Sequence, residues 1–223
     1  MLSTRGQRAL AARLAAPLGE ALAGHFDGAV MHTPVEVTDS ALLALRAAGA
    51  DGIVAIGGGS TIGLAKALAL RTGLPQLALP TTYAGSEVTP ILGQTEAGRK
   101  TTLRSPEVLP EVVIYDPDLT LALPVAVSVV SGLNAVAHAV EALYARDANP
   151  VISLMAEEGL RALATALPAI VVDPADPEAR GGALYGAWLC GTCLGAVGMA
   201  LHHKLCHVPV SYTHLTLPTI LRV

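Results

Sequence analysis

The chain has 223 residues, of which 52% are hydrophobic, 14% charged and only 3% aromatic, with a formal net charge of −4. That length holds one large or two small domains, and the apolar share builds a sizeable core, which excludes a disordered chain. The acidic balance, with no basic stripe, argues against a nucleic-acid partner.

The first third alternates helical and strand patterns. Residues 7–22 carry apolar positions at helical spacing. A strand is expected within 28–35 and a helix over 40–48, capped by Asp39 or Ser40. A strand at 52–56 then runs into Gly57, Gly58 and Gly59, followed by Ser60 and an Ala/Leu-rich helix to residue 71. A buried strand entering a helix through glycines presents free backbone N–H groups at the positive end of a helix dipole, an arrangement that binds phosphate. Ser60 is expected to cap the helix and to offer its hydroxyl. The motif is neither G-x-G-x-x-G nor a Walker loop, and a plain tight turn is the alternative.

A second strand is expected at 76–79, followed by Pro80, Thr81, Thr82 and a loop through Gly85 to Pro90. Both turns sit at carboxyl ends of parallel strands, where ligands bind in open α/β sheets. A further strand at 112–115 ends at Asp116-Pro117. The order implies a doubly wound α/β domain with a parallel sheet over residues 1–120. Helical patterns follow over 131–144, 151–170 and 180–206, giving an all-helical domain over 121–208.

Residues 183–201 are uncharged and long enough to span a bilayer, with G-x-x-x-G spacings at Gly182/Gly186 and Gly191/Gly195. A buried helix whose small residues admit close neighbours is the favoured reading. Cys190 and Cys193 form a C-x-x-C in an Ala/Gly/Leu setting, which reads as small buried residues rather than a redox or zinc pair. Cys206 makes an odd third cysteine, and Arg5, Arg8 and Arg13 interrupt the opening segment. A reducing cytoplasmic setting is expected.

The second domain carries His138, His202, His203 and His207. Asn134 and His138 are four apart, as are His203 and His207, so each pair shares a helix face. Two such pairs can build a metal or proton-transfer site, against the alternative of structural histidines.

The stretches GGGSTIGLAKALAL, PTTYAGSEVTP, VVIYDPDLTLALP, SGLNAVAHAVEALYARDANP and GMALHHKLCH resemble the iron-containing alcohol dehydrogenase superfamily, and within it the maleylacetate-reducing group. The resemblance implies an N-terminal dinucleotide-binding α/β domain and a helical C-terminal domain, with the active site between them. It implies nicotinamide cofactor contacts, NADH or NADPH, at Gly58, Gly59, Ser60, Thr81, Thr82, Ser86 and Lys100. Residues 3–7, STRGQ, stand where the family holds the adenosine ribose and carry no carboxylate, so both cofactors stay open. Metal-dependent relatives use an Asp and three His. Here Asn134 holds the Asp position, and His138 and His203 match the first two His. A neutral amide offsets the charge of a divalent cation poorly, so no catalytic metal is expected.

The reaction implied is reduction of the C=C bond of maleylacetate, a small dicarboxylate, to 3-oxoadipate in the catabolism of aromatic compounds. His138, His203 and His207 are the candidates to serve the developing enolate. Lys204 points away from the His203/His207 face. A homodimer is implied for the intact parent, with no membrane partner. The resemblance begins inside the family's first domain and stops after Val208. The Thr/Leu/Pro-rich residues 209–223, including His214, are expected to be a non-native tail, and the fragment to be impaired. A metal-dependent alcohol dehydrogenase and a non-catalytic nucleotide-binding remnant stay open as alternatives.

Overall fold

The computed structural model describes residues 1–198. They form two compact units. The first unit comprises Met1–Thr81 and Pro90–Tyr115; the second comprises Thr82–Thr89 and the chain from Asp116 onward.

In the first unit, Met1–Ser3 is extended and bridges both Phe26 and Ala55 through Leu2. The helix expected over 7–22 is shorter: α1 spans Arg8–Ala15 and gives way to a 3-10 stretch, Ala16–Ala21. Pro17 has no N–H to continue the ladder, and Gly19 takes φ +52°, outside any helix. No strand forms within 28–35. His32 and Thr33 adopt φ +67° and +46°, a turn conformation that cannot propagate a strand. Helix α2, Val35–Ala47, begins five residues before the expected start. Its N-cap is Pro34, whose carbonyl accepts from the Thr38 N–H and hydroxyl, so neither Asp39 nor Ser40 caps it.

Strand β1, Ile53–Gly57, leads into helix α3, Gly59–Thr72, which ends on Gly73 at φ +68°. Strand β2, Gln76–Pro80, pairs in parallel with β1 from Ile53↔Gln76 to Gly57↔Pro80. Beyond the loop at 85–90 the chain forms a hairpin where no element is expected. Strands β3, Ile91–Glu96, and β4, Arg99–Arg104, pair antiparallel around Ala97-Gly98, both at positive φ. Successive positive φ values make the turn whose twist matches a hairpin. Strand β5, Val112–Val113, pairs in parallel with β2 and completes the sheet order β1-β2-β5. The expected parallel sheet is therefore present. Ile53, Ala55, Leu64, Leu68 and Leu2 form the core between β1 and α3, with Phe26 packed against it. Lys66 is buried on α3 and donates to the Ile91 carbonyl at 3.0 Å, fixing the start of the hairpin.

The second unit is helical. Helix α4 spans Val125–Leu143, α5 Pro150–Val172 and α6 Pro177–Ala196. Asn149 Oδ1 caps α5 by accepting from the Ile152 N–H, and Asp176 Oδ1 caps α6 by accepting from Glu178 and Ala179. Each cap is followed by a proline at the first helical position, where no N–H is needed. The helix expected over 180–206 ends at Ala196, with Val197 extended as its C-cap.

Among the described residues, one helix, Val125–Leu143, is long and apolar enough by composition to cross a membrane. It buries Ser128, Gly132, Ala135, His138 and Glu141 inside the protein, as a core helix does. The apolar stretch from residue 183 is also buried along α6, at Ala183, Leu184, Ala187 and Leu194 among others. Its glycines admit close neighbours: a Cβ on Gly186 would lie 2.7 Å from Leu163 Cγ, and one on Gly159 of α5 would lie 2.8 Å from Cys190 Sγ.

Candidate functional site

In the first unit the candidate site is the turn from β1 into α3. Gly57 closes β1 at φ +154°, a region that side chains rarely occupy. A Cβ there would collide with Thr61 and stand 2.7 Å from Gln7 Oε1. Gly58, not Ser60, is the N-cap of α3, and no side chain caps the helix. Ser60 is the second helical residue because the chain turns helical at Gly59. The first intrahelical bonds run from Thr61 and Ile62 to the Gly58 carbonyl. The helix therefore supplies no partner for the Gly59 and Ser60 N–H groups, which stand at its positive end. Gly59 is exposed, while Gly58 and Ser60 are half-buried.

Thr81 follows β2 directly, and its N–H donates to the Gly57 carbonyl at 3.2 Å. The glycine turn and the start of the PTT turn thus meet, as expected for two adjacent carboxyl strand ends. Two further residues join them. Gln7 Nε2 donates to Thr81 Oγ1 at 2.7 Å, and Thr4 Oγ1 donates to Gln7 Oε1 at 3.2 Å. Gln7 and Thr4 lie within the STRGQ stretch, whose lack of a carboxylate was legible. Their reach back to Thr81, 74 residues away for Gln7, carries no local signal. Lys100 stands on β4, half-buried, with Cε 3.3 Å from where a Cβ of Gly93 would be. Burial draws its pKa below the usual lysine value.

In the second unit, Thr82 and Ser86 sit on a loop held from beneath by Tyr83. The Tyr83 N–H donates to Ser131 Oγ at 3.3 Å, and its hydroxyl donates to Thr120 Oγ1 at 3.0 Å. Arg180, 0% exposed, completes the cluster. Its Nη1 donates to Tyr83 Oη at 3.0 Å and to Ser128 Oγ at 2.8 Å, its Nε to the Pro174 carbonyl, and its Nη2 to the Leu123 carbonyl. A buried guanidinium of this kind is held by oriented hydroxyl and carbonyl dipoles, each of which would lose a donor with it. Gly85, at φ +73°, lies on Gly191 of α6, so close that a Cβ on Gly191 would collide with the Gly85 carbonyl and stand 2.8 Å from its Cα. The loop backbone is therefore seated on the helix backbone.

His138 is buried on α4, and Asn134 Nδ2 lies 3.5 Å from its Nε2. An amide and an imidazole, neither an anion, do not by themselves fit a divalent cation. Among the described residues no group of three His, Cys, Asp or Glu is placed to hold one. His202, His203, His207, Lys204 and Cys206 lie outside the described residues, so the pairing of His203 with His207 is not among the features described. Cys190 and Cys193 are buried free thiols, with pKa pushed up by burial to about 12 and about 11. Raised thiols are poor nucleophiles and poor metal ligands, which fits their reading as small core residues.

Comparison with known proteins gives the ancestry of this arrangement. The family description "Iron-containing alcohol dehydrogenase" matches residues 1–117, and "Fe-containing alcohol dehydrogenase family, C-terminal" matches residues 128–216. A maleylacetate reductase of Rhizobium sp. strain MTP-10005 is 65% identical over 97% of this chain and 64% of its own length. One from Sphingobium indicum is 62% identical over 93% of this chain and 59% of its own. The crystal structure of the Rhizobium enzyme superposes with a TM-score of 0.94, covering 97% of this chain and 62% of that one. The chain spans roughly three fifths of the length of these relatives. It belongs to the iron-containing alcohol dehydrogenase family.

Proposed function

We propose that this chain belongs to a cytoplasmic reductase that uses NADH or NADPH to reduce the C=C bond of maleylacetate, giving 3-oxoadipate. The observation that carries the reading is the 65% identity to a maleylacetate reductase, spread over 97% of the chain. The glycine turn supports the cofactor half of it. The Gly59 and Ser60 N–H groups at the α3 N-terminus would hold the diphosphate, with Thr81 beside them. Thr82 and Ser86 on the loop, and Lys100 on β4, are the further contacts proposed.

Hydride comes from the reduced nicotinamide when it is bound, and goes to the substrate carbon conjugated with the ketone. The enolate that develops needs a hydrogen-bond donor and then a proton. His138, His203 and His207 are proposed for that work. Asn134 supports a reaction without a catalytic metal, since a neutral amide replaces a carboxylate where a cation would need one.

The test is oxidation of NADH or NADPH by the chain in the presence of maleylacetate, followed at 340 nm. Turnover that persists in a chelator sustains both halves of the reading. Turnover lost to a chelator and restored by Fe²⁺ or Zn²⁺ would overturn the metal-free half. Cofactor binding without turnover would leave the chain a nucleotide-binding remnant of such an enzyme.

A further inference from the structure

We infer that Gln7 is a positioning residue that holds the Thr81 hydroxyl as a hydrogen-bond donor for the dinucleotide. The inference rests on the nucleotide-binding reading of the β1–α3 turn proposed above. A threonine hydroxyl has one proton and two lone pairs. At Thr81 the Gln7 amide N–H occupies a lone pair at 2.7 Å. The hydroxyl proton is then left for an acceptor other than Gln7.

The orientation of the Gln7 amide decides this. Thr4 Oγ1 lies 3.2 Å from Gln7 Oε1 and donates to it, which leaves the NH₂ end for Thr81. The order of donation therefore runs from Thr4 through Gln7 to Thr81. The Thr81 backbone is held by its N–H bond to the Gly57 carbonyl. Diphosphate and ribose oxygens are acceptors, so a row of hydroxyl and amide groups that ends in a donor matches them.

A second observation at the same turn points to a ligand. Thr61 is fully buried, and its Oγ1 has no hydrogen-bond partner among the described residues. It flanks Gly57, as Gln7 Oε1 does. A buried hydroxyl without a protein partner is costly unless water or a ligand satisfies it. Gly57, Gln7, Thr61 and Thr81 are thus neighbours at the start of α3.

Titration of NADH and of NADPH onto the full chain, read by nicotinamide fluorescence, tests this. The variants are Gln7→Glu, Gln7→Met, Thr81→Ala and the double variant Gln7→Met/Thr81→Ala, each checked by thermal unfolding. A carboxylate at position 7 has no N–H and takes the Thr81 proton itself. Gln7→Glu should therefore weaken binding more than tenfold, and Gln7→Met by about three- to tenfold. In the Thr81→Ala background, Gln7→Met should add nothing, because its effect passes through the missing hydroxyl. Should Gln7→Glu not fold, the Gln7→Met cycle decides alone. Wild-type affinity in Gln7→Glu, or an undiminished Gln7→Met effect in the Thr81→Ala background, would overturn the inference and leave nucleotide binding intact. Failure of the wild-type chain to bind either nucleotide would instead overturn the nucleotide-binding reading itself.

Discussion

Glycine serves opposite ends in the two units. At the β1–α3 turn, Gly57 leaves no side chain to collide with Thr61 and Gln7, and the Gly59 and Ser60 N–H groups find no partner within α3. At Gly85/Gly191 and Gly159/Gly186 the missing side chains let backbone sit on backbone, and the space is closed by the protein itself. The sequence pattern of small residues is similar in both places. The neighbours differ: threonine and glutamine around the first, a helix backbone, leucine and cysteine around the second. A glycine cluster is therefore read by what surrounds the vacated space, not by the glycines.

The comparison is broken most directly at the sealed contacts. Gly191→Ala places a methyl against the Gly85 backbone, which has no flexible end to yield, and should cost about 3 kcal/mol or more of stability. Chemical denaturation of the variant checks it. Arg180→Met should cost roughly 2 kcal/mol, because Tyr83, Ser128 and two carbonyls lose a buried donor together. If the loop is a cofactor contact, the same variant should also weaken NADH binding, which an unfolding curve alone would not reveal.

Gly57→Ala tests the open end. It should cost about 2 kcal/mol of stability, from the strained φ and the clash with Thr61, and weaken NADH binding more than tenfold, since the intruding methyl displaces Thr61 or Gln7. A variant that loses stability without losing affinity would erase the contrast between the two uses of glycine.

A further effect concerns pH. Cys190 and Cys193 titrate near pH 9 when unfolded and only at about 12 and about 11 when folded. The folded state then holds more protons above pH 9, so the stabilisation is complete below that pH and falls as pH rises toward 11–12. Stability measured between pH 8 and 11 should decline accordingly. In a Cys206→Ser variant, both thiols should resist a disulfide reagent at pH 8 until the chain unfolds.

Much of this was legible in the sequence where local chemistry governs. The β1 and β2 strands, the α3 helix and the three long helices follow from hydrophobic periodicity. The glycine turn was legible as a strand-to-helix turn because strand, glycines and helix are contiguous. The Ala97-Gly98 hairpin was missed although its turn signal is present, because β4, Arg99–Arg104, is mostly exposed and lacks an apolar alternation. Serine's preference for capping predicts Ser60 as the cap, whereas the extended φ/ψ of Gly58 puts the cap two residues earlier. Arg180 and Tyr83 could not be paired from sequence at all. Nothing local in either residue marks a buried hydrogen bond to a partner so distant in the chain.

That separation has a consequence during synthesis. Tyr83 and Arg180 are 97 residues apart, and a ribosome adds roughly 5–20 residues per second. For about 5–20 s after Tyr83 emerges, the Thr82–Thr89 segment has neither the guanidinium nor the Gly191 seat that hold it in the finished chain. The segment therefore acquires its shape only after α6 has been made, although it is encoded 97 residues earlier.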